Sequence, residues 1–282
     1  MDCSHILWAQ GALPVVRPRD LKDGLAALAA LREAGLLAAE IRMETLQDTY
    51  RLIRTAAEQL PSLAVGAGGL NGESRELFEA GAAFTYCAGT DQEELLYPNP
   101  HAHPLRILSN PPAPPCTSPH SIIWKAAPET LQNYLPAEET LCCIVEVPCS
   151  GDSKSIADFA RSLLGRIFDF SLAHIGLNLE NSSPEDTARQ LGQLFGLPLL
   201  PGEPSVFAGS LFECMRTPYL GHHGHIAIRT RDFDRACAFL ALHGVAFNPA
   251  TRKTENGGHR KTIYFQEEIG GFAFHLLQTD ET

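Results

Sequence analysis

A stretch of alternating apolar and polar residues in the C-terminal half sets the pattern that the rest of that half repeats. Ile226 and Ile228 alternate with His225 and Ala227, which is the spacing of a β-strand with two different faces. We expect the isoleucines to be buried and His225 to lie on the other face. A helical spacing of apolar residues follows, and Asp232 precedes it as the predicted N-cap.

The same order of strand and helix occurs upstream, where His174 lies in the strand-like AHIGLNL before the helix-like SSPEDTARQLGQLFGL. Each copy then continues into several short strands. The first copy closes on a strand that contains Glu213, and the second closes on a strand that contains His275. One strand–helix–three-strand unit exposes an apolar sheet face, so two copies are expected to curl around a shared cleft.

This repeat places four metal-binding residue types at equivalent positions: His174, Glu213, His225 and His275. Imidazole nitrogens and a carboxylate oxygen bind first-row divalent ions at about 2.0–2.2 Å. A single histidine on a strand is more often a core or interface residue, and that interpretation stays open for each member. The shared positions favour a divalent-metal site, and they leave zinc, manganese, nickel, cobalt and iron as alternatives.

Two short motifs in this half resemble a known superfamily. GHIAI and the closing GGFAFHLLQ are similar to the second module of the vicinal-oxygen-chelate (glyoxalase-like) superfamily, and the resemblance covers about residues 172–279. The resemblance implies a paired βαβββ domain over 171–282. It also implies that the four residues are its metal ligands, with histidine at the last position where glutamate is more usual.

The N-terminal half alternates strand-like and helix-like segments with short connections. This order predicts a parallel sheet with helices outside, and a unit of about twenty residues favours an α/β-barrel over a doubly wound sheet. The stretch 110–120 contains five prolines, which excludes a helix there and predicts an abridged barrel. The predicted strands are 12–17, 37–43, 63–68, 83–87, 105–108, 121–125, 141–147 and a very short last one at 166–170.

In a parallel barrel the chemistry lies at the carboxyl ends of the strands. That rule selects the charged residues Arg17, Glu40, Arg42 and Glu44, together with Gly68 and Gly69 after the third strand. From spacing alone, a cap or an ion pair with Arg17 or Arg42 explains Glu40 better than a catalytic role does, and Lys125 is better explained as a strand-end lysine whose ammonium group reaches solvent.

Four segments in this half resemble the first four strands of the class I aldolases that cleave 2-keto-3-deoxy-6-phosphogluconate and 4-hydroxy-2-oxoglutarate. They are ALPVVR, the glutamate of AAEIRMET, VGAGGLN and AGAAFTYCAG. That family forms a Schiff base on a sixth-strand lysine that precedes a proline, and SIIWKAAP is similar. The resemblance implies that Lys125 is the imine-forming nucleophile and Glu40 the general acid/base. The strand-end positions of Arg17, Arg42, Gly68 and Gly69 make them the expected substrate-binding residues.

Three positions depart from the family's pattern. Glu44 stands where the family has an arginine that grips the substrate, Gly69 stands for a threonine and Ala88 for a proline. An anionic ligand would therefore meet an additional negative charge. A changed substrate, or a barrel without activity, follows as the second interpretation.

Composition narrows the remaining possibilities. The 282 residues have a net charge of −11 and no basic cluster, which argues against nucleic-acid binding. The N-terminus lacks the pattern of a signal peptide, and no apolar run reaches the roughly 18 residues of a membrane span. The eight cysteines include no CxxC pair. We expect a cytoplasmic protein with a small-molecule partner, and the aldolase resemblance implies a homo-oligomer.

The sequence thus predicts two domains, an abridged (β/α)8-type barrel over 1–170 and the glyoxalase-like domain over 171–282. This order is similar to a bacterial fusion of such an aldolase with a glyoxalase-like tail. The leading expectation is a carbon–carbon lyase that acts on a 2-keto-3-deoxy sugar acid or 4-hydroxy-2-oxoglutarate, with an accessory metal site. The alternatives are a metal-dependent vicinal-oxygen-chelate enzyme or binding protein with an inactive barrel, and a sensor or structural partner without activity.

Overall fold

The computed structural model divides the chain into two compact units, Met1–Ile167 and Phe168–Thr282. None of the helices in the parts of the chain described is long and apolar enough to cross a membrane. The structure describes residues 3–68, 74–88, 93–96, 105–108, 122–125, 140–147, 152–255 and 260–278.

The first unit is built on a closed barrel of eight strands. Neighbouring strands pair in parallel except for the fifth, which is antiparallel to both of its neighbours. The strands are β1 (Ala12–Val16), β2 (Ala38–Ile41), β3 (Ala64–Gly68), β4 (Thr85–Ala88), β5 (Glu93–Leu96), β6 (Leu105–Leu108), β7 (Ile122–Lys125) and β8 (Thr140–Glu146). The helices are α1 (Cys3–Gln10), α2 (Leu21–Glu33), α3 (Leu46–Gln59), α4 (Ser74–Glu79) and α5 (Ser153–Phe168).

The barrel prediction is confirmed, but two of its strands differ from the expectation. The segment 166–170 is not the last strand, because its first residues end α5, whose apolar residues are buried at helical spacing. Asp169 then adopts a left-handed backbone with φ 49°, which ends the helix. The strand β5 was missed, so β8 closes the barrel and Lys125 lies on the seventh strand rather than the sixth.

Alternation along the strands builds two apolar layers in this unit. Leu13, Val15 and Ile144 belong to an inner cluster that also contains Leu7 of α1. Val16, the neighbour of Val15, belongs instead to an outer cluster that includes residues of the helices, as Ile41 of β2 does. The helices α2 and α3 begin at side-chain N-caps, Asp20 and Thr45. Apolar packing on both sides of the strands therefore fixes the positions of their carboxyl ends.

The second unit is one eight-stranded sheet in the order β10-β11-β12-β9-β13-β16-β15-β14. Its modules, β9-α6-β10-β11-β12 and β13-α7-β14-β15-β16, meet where β9 and β13 pair antiparallel. This confirms the paired βαβββ fold. The elements are β9 (Ser171–Leu177), α6 (Pro184–Phe195), β10 (Leu199–Pro201), β11 (Ser205–Ala208), β12 (Phe212–Met215), β13 (Gly224–Arg229), α7 (Phe233–Leu242), β14 (Phe247–Glu255), β15 (Arg260–Phe265) and β16 (Phe272–Gln278).

The opening strand of the second module differs in burial from the expectation. His225 and Ala227 are buried, whereas Ile226 and Ile228 are only partly buried. The reason is that the ring of His225 packs directly against Gly176 and beside the rings of His174 and His275, which enclose it. The predicted N-cap is confirmed, because the side chain of Asp232 accepts a hydrogen bond from a backbone N–H in the first turn of α7.

Candidate functional site

Four adjacent strands at the centre of the second sheet, β12, β9, β13 and β16, bring the predicted metal ligands together. Glu213 and His225 both pair with Gly176 of β9. His174 and His275 both pair with Ala227 of β13. Paired residues share a face of a sheet, and so do residues two apart on a strand. The register therefore puts all four side chains on one face, with a glycine and an alanine between them.

Three of these side chains form a nearly equilateral triangle. Nε2 of His174 lies 3.2 Å from Nε2 of His225, and Oε2 of Glu213 lies 3.2 Å and 3.0 Å from those two nitrogens. Neighbouring ligands at about 2.1 Å from one ion, at right angles, are about 3.0 Å apart. A ligand nitrogen of His275 lies within 4.8 Å of a ligand nitrogen of each of the other two histidines. The three histidines thus form one group of ligand nitrogens, and the carboxylate of Glu213 lies beside two of them.

The carboxylate of Glu213 is fixed by a hydroxyl outside this set. Ser205 donates a hydrogen bond of 2.7 Å to Oε1, which leaves Oε2 to face His174 and His225. Burial alone would raise the pKa of Glu213, but the hydrogen bonds from the two histidines and from Ser205 lower it well below its usual range. Glu213 is therefore a carboxylate at neutral pH.

His275 is held in the tautomer that a metal ligand needs. Thr262 donates its hydroxyl hydrogen to the carbonyl oxygen of Leu276, at 3.0 Å. Its oxygen therefore accepts from Nδ1 of His275, also at 3.0 Å, and Nε2 carries the lone pair. That Nε2 is buried and has no hydrogen-bond partner. Burial first, and then the charges of His225 and His174, lower the pKa of His275 to about 3. The ring is a neutral donor aimed into the cluster.

A cavity of about 320 Å³ opens beside the four residues. Tyr264 stacks on the ring of His275 with centroids 4.4 Å apart, and Tyr219 meets Tyr264 edge-on at 5.7 Å. Burial raises the pKa of Tyr264, so its phenol stays protonated and can donate a hydrogen bond. The remaining lining residues are Pro204, Met215, Thr251, Lys253, Thr262 and Leu277.

In the barrel, the structure brings together three of the residues selected from the sequence. Glu40 is fully buried on β2 and forms an ion pair with Arg42. Arg17 makes two hydrogen bonds of 3.0 Å and 2.9 Å to Glu146, which also lies 3.8 Å from Arg42. Glu146 was not selected from the sequence. A substrate anion at these arginines would share them with two carboxylates of the chain itself.

The other barrel positions are described only in part. Lys125 is the last residue of β7 and pairs with Ile144 of β8, but its side chain lies outside what the structure describes. Gly68 ends β3, and Gly69 lies outside the described residues. The structure therefore gives the strand position of the predicted nucleophile and no contact for it.

The predicted ligands His174, Glu213, His225 and His275 are called the metal-type cluster below. The residues that support this cluster were not predicted from the sequence. Gly176 was detectable, because a glycine inside a strand indicates a close approach by another group. A Cβ at that position would lie 2.0 Å from Cε1 of His225. Ser205 and Thr262 were not detectable, because their roles depend on strand register.

Comparisons with known proteins find similarity in solved structures alone, since no protein-family model and no curated protein matches the sequence. The 2-keto-3-deoxy-6-phospho-gluconate aldolase of Zymomonas mobilis is 19% identical with a TM-score of 0.43, over 58% of this chain and 96% of its own. The KDPG aldolase of Legionella pneumophila is 12% identical with a TM-score of 0.39, over 57% and 97%. Methylmalonyl-CoA epimerase of Mycobacterium tuberculosis is 15% identical with a TM-score of 0.30, over 39% and 88%.

Two of these structures are KDPG aldolases and the third is a methylmalonyl-CoA epimerase. The fold class of each unit follows from its own strand order.

Proposed function

We propose that the second unit is a divalent-metal centre that binds a small organic anion through two neighbouring oxygen atoms. The observation that supports this best is Nε2 of His275, a buried lone pair with no hydrogen-bond partner, aimed at two further imidazoles. An unpaired polar atom in a buried site costs free energy unless a ligand satisfies it. Three imidazoles and one carboxylate suit a first-row ion such as zinc, manganese, nickel, cobalt or iron better than magnesium or calcium.

The residues of the chain divide the work of such a centre. His174, His225, His275 and Glu213 would hold the ion, and the hydroxyls of Ser205 and Thr262 keep Glu213 and His275 oriented. A bound ion supplies a Lewis acid that polarises a carbonyl or hydroxyl oxygen. The protonated phenol of Tyr264 lies beside His275 and can donate a hydrogen bond to an oxygen of the bound anion.

Ligand binding to metal-loaded and metal-free protein tests this proposal. Oxalate offers two neighbouring oxygens that can bind one ion, whereas acetate offers a single carboxylate. We expect the loaded protein to bind oxalate at least about tenfold more tightly than acetate by calorimetry, with the ion retained by elemental analysis. The metal-free protein should bind neither. Equal affinity of oxalate for the loaded and metal-free forms would contradict the proposal.

For the barrel we propose a carbon–carbon lyase of the class I aldolase type, acting on a 2-keto-3-deoxy sugar acid or 4-hydroxy-2-oxoglutarate. Two observations support it. Lys125 ends a parallel strand opposite Ile144, a member of the inner cluster. Glu40, also on a parallel strand, is fully buried. The amine of Lys125 would attack the ketone and release water, and the imine would accept the electron pair of the breaking C–C bond. Glu40 would move the proton of the substrate hydroxyl.

Borohydride trapping with pyruvate tests the barrel proposal. Reduction of an imine at Lys125 leaves a stable secondary amine, so mass spectrometry should find the added three-carbon acid on that residue. We expect Lys125→Met to abolish the adduct and Lys154→Met, which alters an exposed helical lysine, to leave it unchanged. An unmodified protein, or an adduct at another lysine, would favour the alternative of an inactive barrel.

A further inference from the structure

Lys253 places a cation on the cavity side of strand β14. It lines the cavity together with Thr251, two residues earlier on the same strand face. Arg252, between them, has its charge on the opposite face, where it pairs with Asp234 of α7 at 2.8 Å. Adjacent residues of one strand therefore have different roles. The charge of Arg252 is paired with Asp234, whereas Lys253 faces the cavity.

The strand register and the strand order together give the separation of Lys253 from His275 within the sheet. Lys253 pairs with Thr262 of β15, and Thr262 pairs with Leu277 of β16. Leu277 is two residues beyond His275 on the same strand. A strand advances about 3.3 Å per residue, so along the strands the row that contains Lys253 is about 7 Å from the row that contains His275. Across the sheet, β14 is two strands from β16, which adds a separation of about 10 Å. Both residues line the same cavity, so the long side chain of Lys253 and an extended five-carbon dicarboxylate can together bridge this separation.

The two charged side chains of the cavity wall differ in whether other side chains of the protein already pair with them. Among the described residues that line it, Lys253 provides the ammonium group and Glu213 the carboxylate. That carboxylate is already hydrogen-bonded to Ser205 and two histidines. Lys261 on β15 pairs with Asp234, as Arg252 does. No carboxylate of a described side chain lies within ion-pair distance of Lys253. With a divalent ion bound, the cavity has a net positive charge.

We infer that Lys253 selects the ligand of this cavity, and that the ligand class is a 2-oxo or 2-hydroxy acid with a second, remote carboxylate. The two neighbouring oxygens of such an acid would bind the ion. Its remote carboxylate would bind Nζ of Lys253. The inference rests on the proposed function of the second unit, since it takes the divalent ion as the first anchor of the ligand.

A matched pair of ligands tests this selection. The probes are 2-oxoglutarate and 2-oxopentanoate, which have the same chain length and differ in the remote carboxylate. We expect the metal-loaded protein to bind 2-oxoglutarate at least about tenfold more tightly by calorimetry. Lys253→Met should reduce this preference to about twofold or less, with unchanged metal content and unchanged affinity for 2-oxopentanoate. Lys253→Arg should keep most of the preference, and Arg252→Met should keep all of it.

The outcomes distinguish a failure of selection by Lys253 from a failure of the proposed metal centre. Equal binding of the two acids by the wild-type protein, or an undiminished preference in Lys253→Met, would overturn selection by Lys253 even where oxalate binding supports the metal centre. A protein that retains no ion would overturn both. If Lys253→Met folds poorly, the salt dependence of the preference for 2-oxoglutarate in the wild-type protein serves as the test instead. The preference should fall as salt rises from about 0.01 M to about 0.5 M, and a constant preference would contradict the inference.

Discussion

Replacing His225 by alanine is expected to weaken binding of a first-row divalent ion by about 100-fold or more. Nε2 of His225 lies between the other donors, 3.0 Å from Oε2 of Glu213 and 3.2 Å from Nε2 of His174. Its loss would leave two donors of the triangle and the more distant His275. Competition against a chromophoric chelator measures the affinity, and elemental analysis after dialysis measures the ion retained.

His222→Ala is the matched control for this prediction. His222 precedes the same strand, is exposed and lies outside the cluster of ligand atoms. We expect this variant to bind the ion as the wild-type protein does. Equal retention by the His222 and His225 variants would show that the cluster is a hydrogen-bonded core arrangement rather than a metal site.

The second large effect is expected from Gly176→Ala. An added Cβ would lie 2.0 Å from Cε1, 2.3 Å from Nδ1 and 2.4 Å from Nε2 of His225, so the ring must leave its position. Because the ring is the group that moves, we expect metal affinity to fall by about 100-fold. The free energy of unfolding of the metal-free protein should fall by only about 1–3 kcal/mol, the usual cost of overpacking. Chemical denaturation and metal titration on the same sample separate the two effects.

Gly165→Ala provides the matched substitution at a position without a neighbour. Nothing lies within 4 Å of a Cβ built at Gly165, which is an exposed residue of α5. Alanine there should raise the free energy of unfolding by about 0.5–1 kcal/mol through helix propensity and leave metal affinity unchanged. If Gly176→Ala retained the ion as this control does, Gly176 would not be what makes room for His225.

The residues of the candidate metal site were predictable from the sequence because they come from an internal repeat. His174 and His225 occupy equivalent positions on two opening strands, and Glu213 and His275 occupy them on two closing strands. Two copies of one unit that share a cleft bring equivalent positions together, whatever the details of packing. Residue type and repeat position were therefore sufficient to predict that these four side chains share one face of the sheet.

The supporting contacts were not predictable in the same way. Thr262 reaches His275, and Ser205 reaches Glu213, only because neighbouring strands pair in one particular register. Hydroxyl residues are common on strands, and a register slip of one residue would turn each to the other face. Lys253 shows the same dependence, since its neighbour Arg252 has the same charge and the opposite environment.

In the barrel, alternation predicted most of the strands, and the failures have local causes. The strand β5, Glu93–Leu96, is short and lacks an alternating pattern, and its antiparallel pairing has no place in a regular βα repeat. The ion pair of Glu40 with Arg42 was one of the alternatives drawn from spacing. Glu146 was missed because its contact with Arg17 depends on the pairing of β8 with β1, across the closure of the barrel.

An X-ray absorption spectrum of the metal-loaded protein tests the central claim most directly. We expect a first shell of nitrogen and oxygen at about 2.0–2.2 Å, with no sulfur, and the outer-shell scattering of about three imidazole rings. That pattern is the one expected if His174, His225 and His275, together with the carboxylate of Glu213, are the ligands. A sulfur shell, or a spectrum without imidazole scattering, would place the ion elsewhere and contradict the account.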